Sequence, residues 1–186
     1  MVLVPYKSAD AIIDALHNLS DKIKQQIHLT IVGDSSERVN LENQIESLNL
    51  GNIVTLTGWI NQQETAKYYR ESDIFCFPSI REFGGAVVIE AMAKSLPCIV
   101  VNNGGIGEYV TEKTGFKIEP LSREYLVQEM ANNITVLVEN EDFRSSMSME
   151  LIARAKEFEW SNKVKQIVNI YEELRQNYSK NLSLYP

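Results

Sequence analysis

Apolar positions along the chain alternate between two patterns. Short runs rich in β-branched residues, IHLTIVG (27–33), IVTLTG (53–58), DIFCFPS (73–79), PCIVVN (97–102) and GFKIEP (115–120), read as strands. The longer segments between them carry apolar residues at helical spacing and predict helices at 9–19, 37–48, 62–71, 85–95 and 106–111, with more helix filling much of 122–178. This alternation is that of an α/β fold, a parallel, Rossmann-like doubly wound sheet wrapped by helices. Near-continuous apolarity within the runs predicts strands covered on both faces. MVLVP supplies only a clipped first strand, whereas doubly wound sheets place theirs centrally.

Several strand runs end in Gly, Ser or Asn just before a helix, at the edge where open α/β sheets bind ligands. VGDSSE, TGWINQQ, PSIREFGG and NNGGIGE all fall there, so four loops are expected to converge on one crevice. In the third, Gly84 and Gly85 precede an apolar segment, allowing close backbone approach and presenting N–H groups at a helix N-terminus, an anion site. Glu82 stands before the glycines, and Glu90 lies about 7 to 8 Å along the helix at 1.5 Å per residue. A helix apolar nearly all round predicts that Glu90 is largely buried, and a buried carboxylate must be paired or face a polar-filled cavity. Two carboxylates flanking a phosphate cradle suit a molecule with hydroxyls at both ends and phosphate between, the layout of a nucleotide sugar.

Plainer roles exist for the same residues. A Gly-Gly pair is often only a tight turn, Glu82 alone would be a solvated loop residue, and Lys7 would by default be an exposed lysine at a helix start. Trp59 and Trp160 are more often core or helix-packing aromatics than base-stacking platforms. His17 and His28 have no acidic or cysteine partner nearby in sequence, so no metal or triad role is expected of them.

Composition narrows the field. The 186 residues fit a single domain, a core over about 1–155 followed by helices over about 156–180. A net charge of −7 with no Lys/Arg cluster argues against nucleic acid. Cys76 and Cys98 lie in strand runs and read as small buried hydrophobes rather than a disulfide, giving a cytoplasmic setting as the default. Nowhere do eighteen apolar residues run together, and no basic n-region with a long apolar core opens the chain.

PSIREFGGAVVIEAMAKSLPCIVVNNGGIGEYV resembles the signature of the family-four (group 1) retaining glycosyltransferases of GT-B fold, marked by a Glu, seven residues and a second Glu. LVPYKS, LTIVGDSSE, VTLTGWI, YRESDIFCFPS and FEWSNKVKQIVNIYEEL extend the resemblance over nearly the whole chain. The family has an acceptor-binding and a donor-binding domain, and this chain is similar to the second. The resemblance implies that Glu82 holds donor-sugar hydroxyls, that the amides of Phe83, Gly84, Gly85, Ala86 and Val87 contact sugar and diphosphate, and that Glu90 accepts from both ribose hydroxyls. Lys7 would neutralise the departing diphosphate, and Gly33, Gly58, Trp59 and Ile60 would line the rest of the donor site. No metal and no cofactor is implied beyond the nucleotide sugar itself.

The family commonly has a Gly-Arg pair where this chain has Met1 and Val2, leaving a single cation toward the diphosphate. Two alternatives therefore stand beside the transferase: a non-catalytic nucleotide-sugar-binding module and a sugar-nucleotide epimerase of the same architecture. The expected partners are an N-terminal acceptor-binding domain or a partner chain supplying it. Ile167, Ile170, Tyr171 and Leu174 form an apolar stripe that would stay exposed or be buried in a homodimer through the C-terminal helices.

Overall fold

The structure, a computed structural model, describes residues 3–182, with side chains to Tyr178. Pro5 at its first position opens a 3-10 turn, η1 (Pro5–Lys7), and Ser8, left-handed at φ 54°, turns the chain into α1 (Ala9–His17). A short helix absent from the sequence expectation, α2 (Asp21–Lys24), follows because the Ser20 hydroxyl accepts from the Ile23 N–H. Strand and helix then alternate as β1 (Leu29–Ile31), α3 (Arg38–Ser47), β2 (Val54–Leu56), α4 (Gln62–Arg70), β3 (Phe75–Phe77), α5 (Ala86–Met92), β4 (Cys98–Val101), α6 (Gly104–Tyr109) and β5 (Gly115–Ile118). Asn61 and Glu64 make a reciprocal capping box on α4. Three long helices, α7 (Arg123–Glu139), α8 (Glu141–Glu157) and α9 (Trp160–Leu182), close the chain, with Ser122 capping α7.

Every strand pairing is parallel, as the alternation required. Among the described residues the hydrogen-bonded ladders form two sheets, β1-β2 and β3-β4-β5. Between these wings runs the segment that the sequence suggested as a clipped first strand. Met1 and Val2 lie outside the described residues, and Leu3 and Val4 form no ladder. The segment nonetheless bonds to both wings. The Leu3 N–H donates to the Asp34 carbonyl beyond β1 at 3.3 Å, and the Ile80 N–H beyond β3 donates to the Tyr6 carbonyl at 2.9 Å. It thus links the two wings through backbone bonds at both of its sides.

Burial divides the strands. All four residues of β4 are buried, with α5 and α7 both packed against it. β1 and β2 are only partly covered, and Thr55 is exposed, so the expectation of strands buried on both faces fails for this wing. Fully buried Met92, Ile99, Ile106, Met130, Leu137 and Leu151 knit α5 to α8 around β4, each contributing about 1.5–3 kcal/mol by leaving water. Both cysteines are free thiols, Cys98 buried and Cys76 half-buried. Burial pushes the Cys76 thiol up to about 12, and burial followed by the charge of Cys76 raises that of Cys98.

The final helix stands apart. α9 packs against α8 and leaves Trp160, Val164, Ile167, Val168, Ile170, Tyr171, Leu174 and Tyr178 exposed. Trp160 is therefore no core aromatic. Among the described residues no helix is long and apolar enough to cross a membrane.

Candidate functional site

The C-terminal ends of β3 and β4 and the 3-10 turn η1 bring three backbone segments to one place. Ser79, buried after β3, donates its hydroxyl to the Tyr6 carbonyl at 3.4 Å, and Asn103 donates its side-chain amide to the Ile80 carbonyl. The Tyr109 hydroxyl, from the end of α6, donates to the Gly84 carbonyl at 2.6 Å. The loop from Ile80 to Gly85 is thus pinned along its length.

Packing there leaves no room for side chains at two glycines. Gly85, the residue before α5, has φ 48°, and a Cβ on it would lie 2.1 Å from Ile106 Cγ2. Gly104, at φ 57°, would place its Cβ 2.4 Å from the Glu82 carbonyl oxygen. These approaches hold the α5 and α6 N-termini side by side against the loop.

Lys7 Nζ donates to Glu82 Oε2, and both side chains are largely withdrawn from water, at 15% and 17% exposure. The ammonium also sits 5.0 Å from the centre of the Phe77 ring and 5.6 Å from that of Tyr6. Lys7 is therefore not the exposed, snorkelling lysine that its position in sequence suggested by default. The other carboxylate oxygen of Glu82 accepts from the Gly85 N–H at 3.3 Å. Ammonium, carboxylate and glycine turn form one unit, which can pair an anion on the lysine side and accept from hydroxyls on the glutamate side.

Glu90 does not lie where the sequence placed it. It is exposed, on a stripe with Ala86 of α5 and Ala93 just after it, while Val88, Ala91 and Met92 face the core. The alanines made the helix read as apolar all round, although they are small enough to face solvent freely. Its Oε2 accepts from the Tyr69 hydroxyl of α4 at 3.2 Å, a contact no short-range pattern announces. Tyr69 also reaches the Val87 carbonyl at 3.5 Å and packs on the Phe75 ring. Burial, and then the charge of Glu90, raise the pKa of its hydroxyl, which stays a donor.

Of the remaining candidates, Gly33 and Gly58 meet in an antiparallel bridge beyond the ends of β1 and β2. Beside them Trp59 is exposed and Ile60 half-buried, so Trp59 is not a core aromatic. Phe83 is 98% exposed, an apolar side chain held clear of the protein at the rim of the site. Gly84 and Ala86 are exposed and Val87 half-buried. Two grooves, of about 560 and 580 Å³, lie away from these residues, along α8 and α9 and beside α3. Among the described residues no cluster of three or more His, Cys, Asp or Glu could hold a metal ion. His28 is engaged with the Thr55 hydroxyl at 2.8 Å.

Parallel sheets flanked by helices, with loops gathered at the strand ends around a lysine–glutamate pair, define a GT-B-type α/β domain. The chain belongs to the family described as glycosyl transferases group 1, whose model matches residues 2–158. It is 30% identical over 171 residues to an uncharacterised glycosyltransferase of Methanocaldococcus jannaschii, covering 92% of this chain and 46% of that protein. It is 26% identical over 161 residues to the sulfoquinovosyl transferase of Arabidopsis thaliana, covering 84% of this chain and 30% of the relative. Among solved structures, HepE of Anabaena in complex with UDP superposes with a TM-score of 0.79 at 25% identity, over 93% of this chain and 47% of that one. The chain therefore spans half or less of the length of these relatives, and it corresponds to the C-terminal domain of a group 1 glycosyltransferase.

Proposed function

We propose that this chain is the donor side of a retaining glycosyltransferase, holding a nucleoside-diphosphate sugar from which a hexose passes to a glycan or lipid-linked acceptor. The Lys7–Glu82–Gly85 unit carries this reading, because it sets a cation for a diphosphate directly beside a carboxylate for sugar hydroxyls. Lys7 neutralises the leaving diphosphate, Glu82 holds the sugar, and the amides of Phe83 to Val87 line both. Glu90 accepts from the two ribose hydroxyls. Gly33, Gly58, Trp59 and Ile60 close the base side. HepE, whose complexes contain UDP and UDP-glucose, supports a uridine nucleotide as the first ligand to try.

The acceptor is held by a second domain or a partner chain, consistent with relatives at least twice as long. The reaction needs no metal, and the setting is cytoplasmic, at the membrane surface where the acceptor is lipid-linked. Membership of a transferase family sets the epimerase alternative aside. One observation speaks for the second reading, a non-catalytic module: Val2 stands where the family commonly has an arginine, which leaves Lys7 as the single cation at this position of the motif.

Calorimetric titration of the chain with UDP, alongside Lys7→Ala, tests the reading. Measurable binding weakened at least roughly tenfold by the substitution is expected, as for a lost charge-assisted contact. Absence of binding to any nucleoside diphosphate would overturn it. Sugar transfer on adding the acceptor half separates enzyme from module.

A further inference from the structure

Like Glu82, which Lys7 holds from η1, Glu90 is held by a side chain from another element, Tyr69 of α4. Its Oε2 accepts from the Tyr69 hydroxyl, while the rest of the side chain faces solvent. An exposed glutamate on a helix ordinarily samples several rotamers, and fixing one costs entropy each time a ligand binds. Tyr69 removes part of that cost in advance. Its ring is anchored 5.8 Å from that of Phe75 on β3, and its hydroxyl is within 3.5 Å of the Val87 carbonyl, so the donor is itself held by contacts to β3 and α5. α4 in turn is fixed at its start by the Asn61–Glu64 capping box.

We infer that Tyr69 is a positioning residue for nucleotide selection: by occupying one oxygen of Glu90 it holds the carboxylate ready for a vicinal diol, so that the site prefers ribonucleotides over 2′-deoxyribonucleotides. The inference rests on the assignment of Glu90 to ribose made above and deepens it. Tyr69 touches no reacting atom. It acts by presenting Glu90 in one orientation, and its high pKa keeps the proton on the phenol at any working pH.

The test measures dissociation constants of UDP and 2′-deoxy-UDP for the wild-type chain, Tyr69→Phe, Glu90→Gln and the double variant, with melting temperatures for each. Phenylalanine keeps the ring on Phe75 and removes only the hydroxyl. The expected result is an approximately tenfold loss of UDP affinity in Tyr69→Phe, with 2′-deoxy-UDP nearly unchanged and the double variant no weaker than Glu90→Gln. Equal losses on both nucleotides would mean general packing and overturn the inference. Unchanged UDP affinity, or fully additive losses in the double variant, would also overturn it. If Glu90→Gln alone leaves UDP and 2′-deoxy-UDP binding equal to wild type, the ribose assignment itself has failed, whatever Tyr69→Phe does.

Discussion

Lys7 donates to Glu82 across 75 positions of sequence, an ion pair that ties η1 to the loop leading into α5. Both groups are largely shielded, so removing one strands the other in a poorly solvated place. Lys7→Met should therefore cost the fold about 1–3 kcal/mol as well as weaken UDP binding. Pairing it with Glu82→Gln should restore much of the stability and none of the binding. Denaturant midpoints with UDP titrations check both halves; a Lys7→Met chain as stable as wild type would show that the pair holds nothing together.

Neighbouring glycines should answer oppositely to the same change. An alanine at Gly85 would carry its Cβ into Ile106 and strain a left-handed backbone, whereas nothing lies within 4 Å of a Cβ at Gly84. Gly85→Ala should destabilise the chain by about 2 kcal/mol or more, and Gly84→Ala by less than about 1. Thermal melts of the two variants decide it. Similar melting points would mean that α5 and α6 are not in close contact at Ile106.

Alkaline pH should loosen the core before it affects the surface. The Cys76 thiol is raised from 9.0 to about 12, and Cys98 and Tyr69 are raised as well. Protonated forms are thus favoured by the fold, while the unfolded chain ionises at ordinary values. Their contribution is complete below pH 9 and is lost as pH rises toward 12, on the order of 1 kcal/mol per pH unit for each group over that window. Cys76→Ala should lower stability at neutral pH and flatten the alkaline slope. A slope identical to wild type would contradict the thiol's part in it.

Much of this site could be seen in the sequence, and the omissions have physical reasons. CIVV reads as a strand covered on both faces and is one, because nothing but burial rewards four apolar residues in a row. The strand–helix alternation follows from the same periodicity, whereas of the four expected loops the bonds join those after β3 and β4 to η1 and bring Gly33 and Gly58 of the other two to each other. Glu90 faces solvent against the sequence expectation because Ala86 and Ala93 count as apolar while costing little in water. The bonds from Lys7 to Glu82, Tyr69 to Glu90 and Tyr109 to Gly84 join residues 75, 21 and 25 apart, beyond any local pattern. Asn103 carries the one readable signal, its place in NNGGIGE at the end of a strand run.

The last helix carries a surface that its own chain does not cover. Trp160, Val164, Ile167, Tyr171, Leu174 and Tyr178 recur at steps of four, three, four, three and four, a 3.5-residue period that keeps one seam along the helix. All six are exposed, and Val168 and Ile170 widen the stripe at its middle. Asn162, Gln166, Asn169, Glu173 and Gln176 fall on the opposite side. Such a face is stabilising only when another body covers it, whether the acceptor-binding half or a second copy of this chain. At concentrations low enough to keep the chain monomeric, Ile167→Glu together with Leu174→Glu should therefore change stability by less than about 1 kcal/mol, because no contact within the chain is lost. The wild-type chain alone should self-associate at micromolar concentrations in sedimentation equilibrium, and the double variant should not. A wild-type monomer whose stability collapses on the double substitution would mean that α9 folds back onto its own domain in solution.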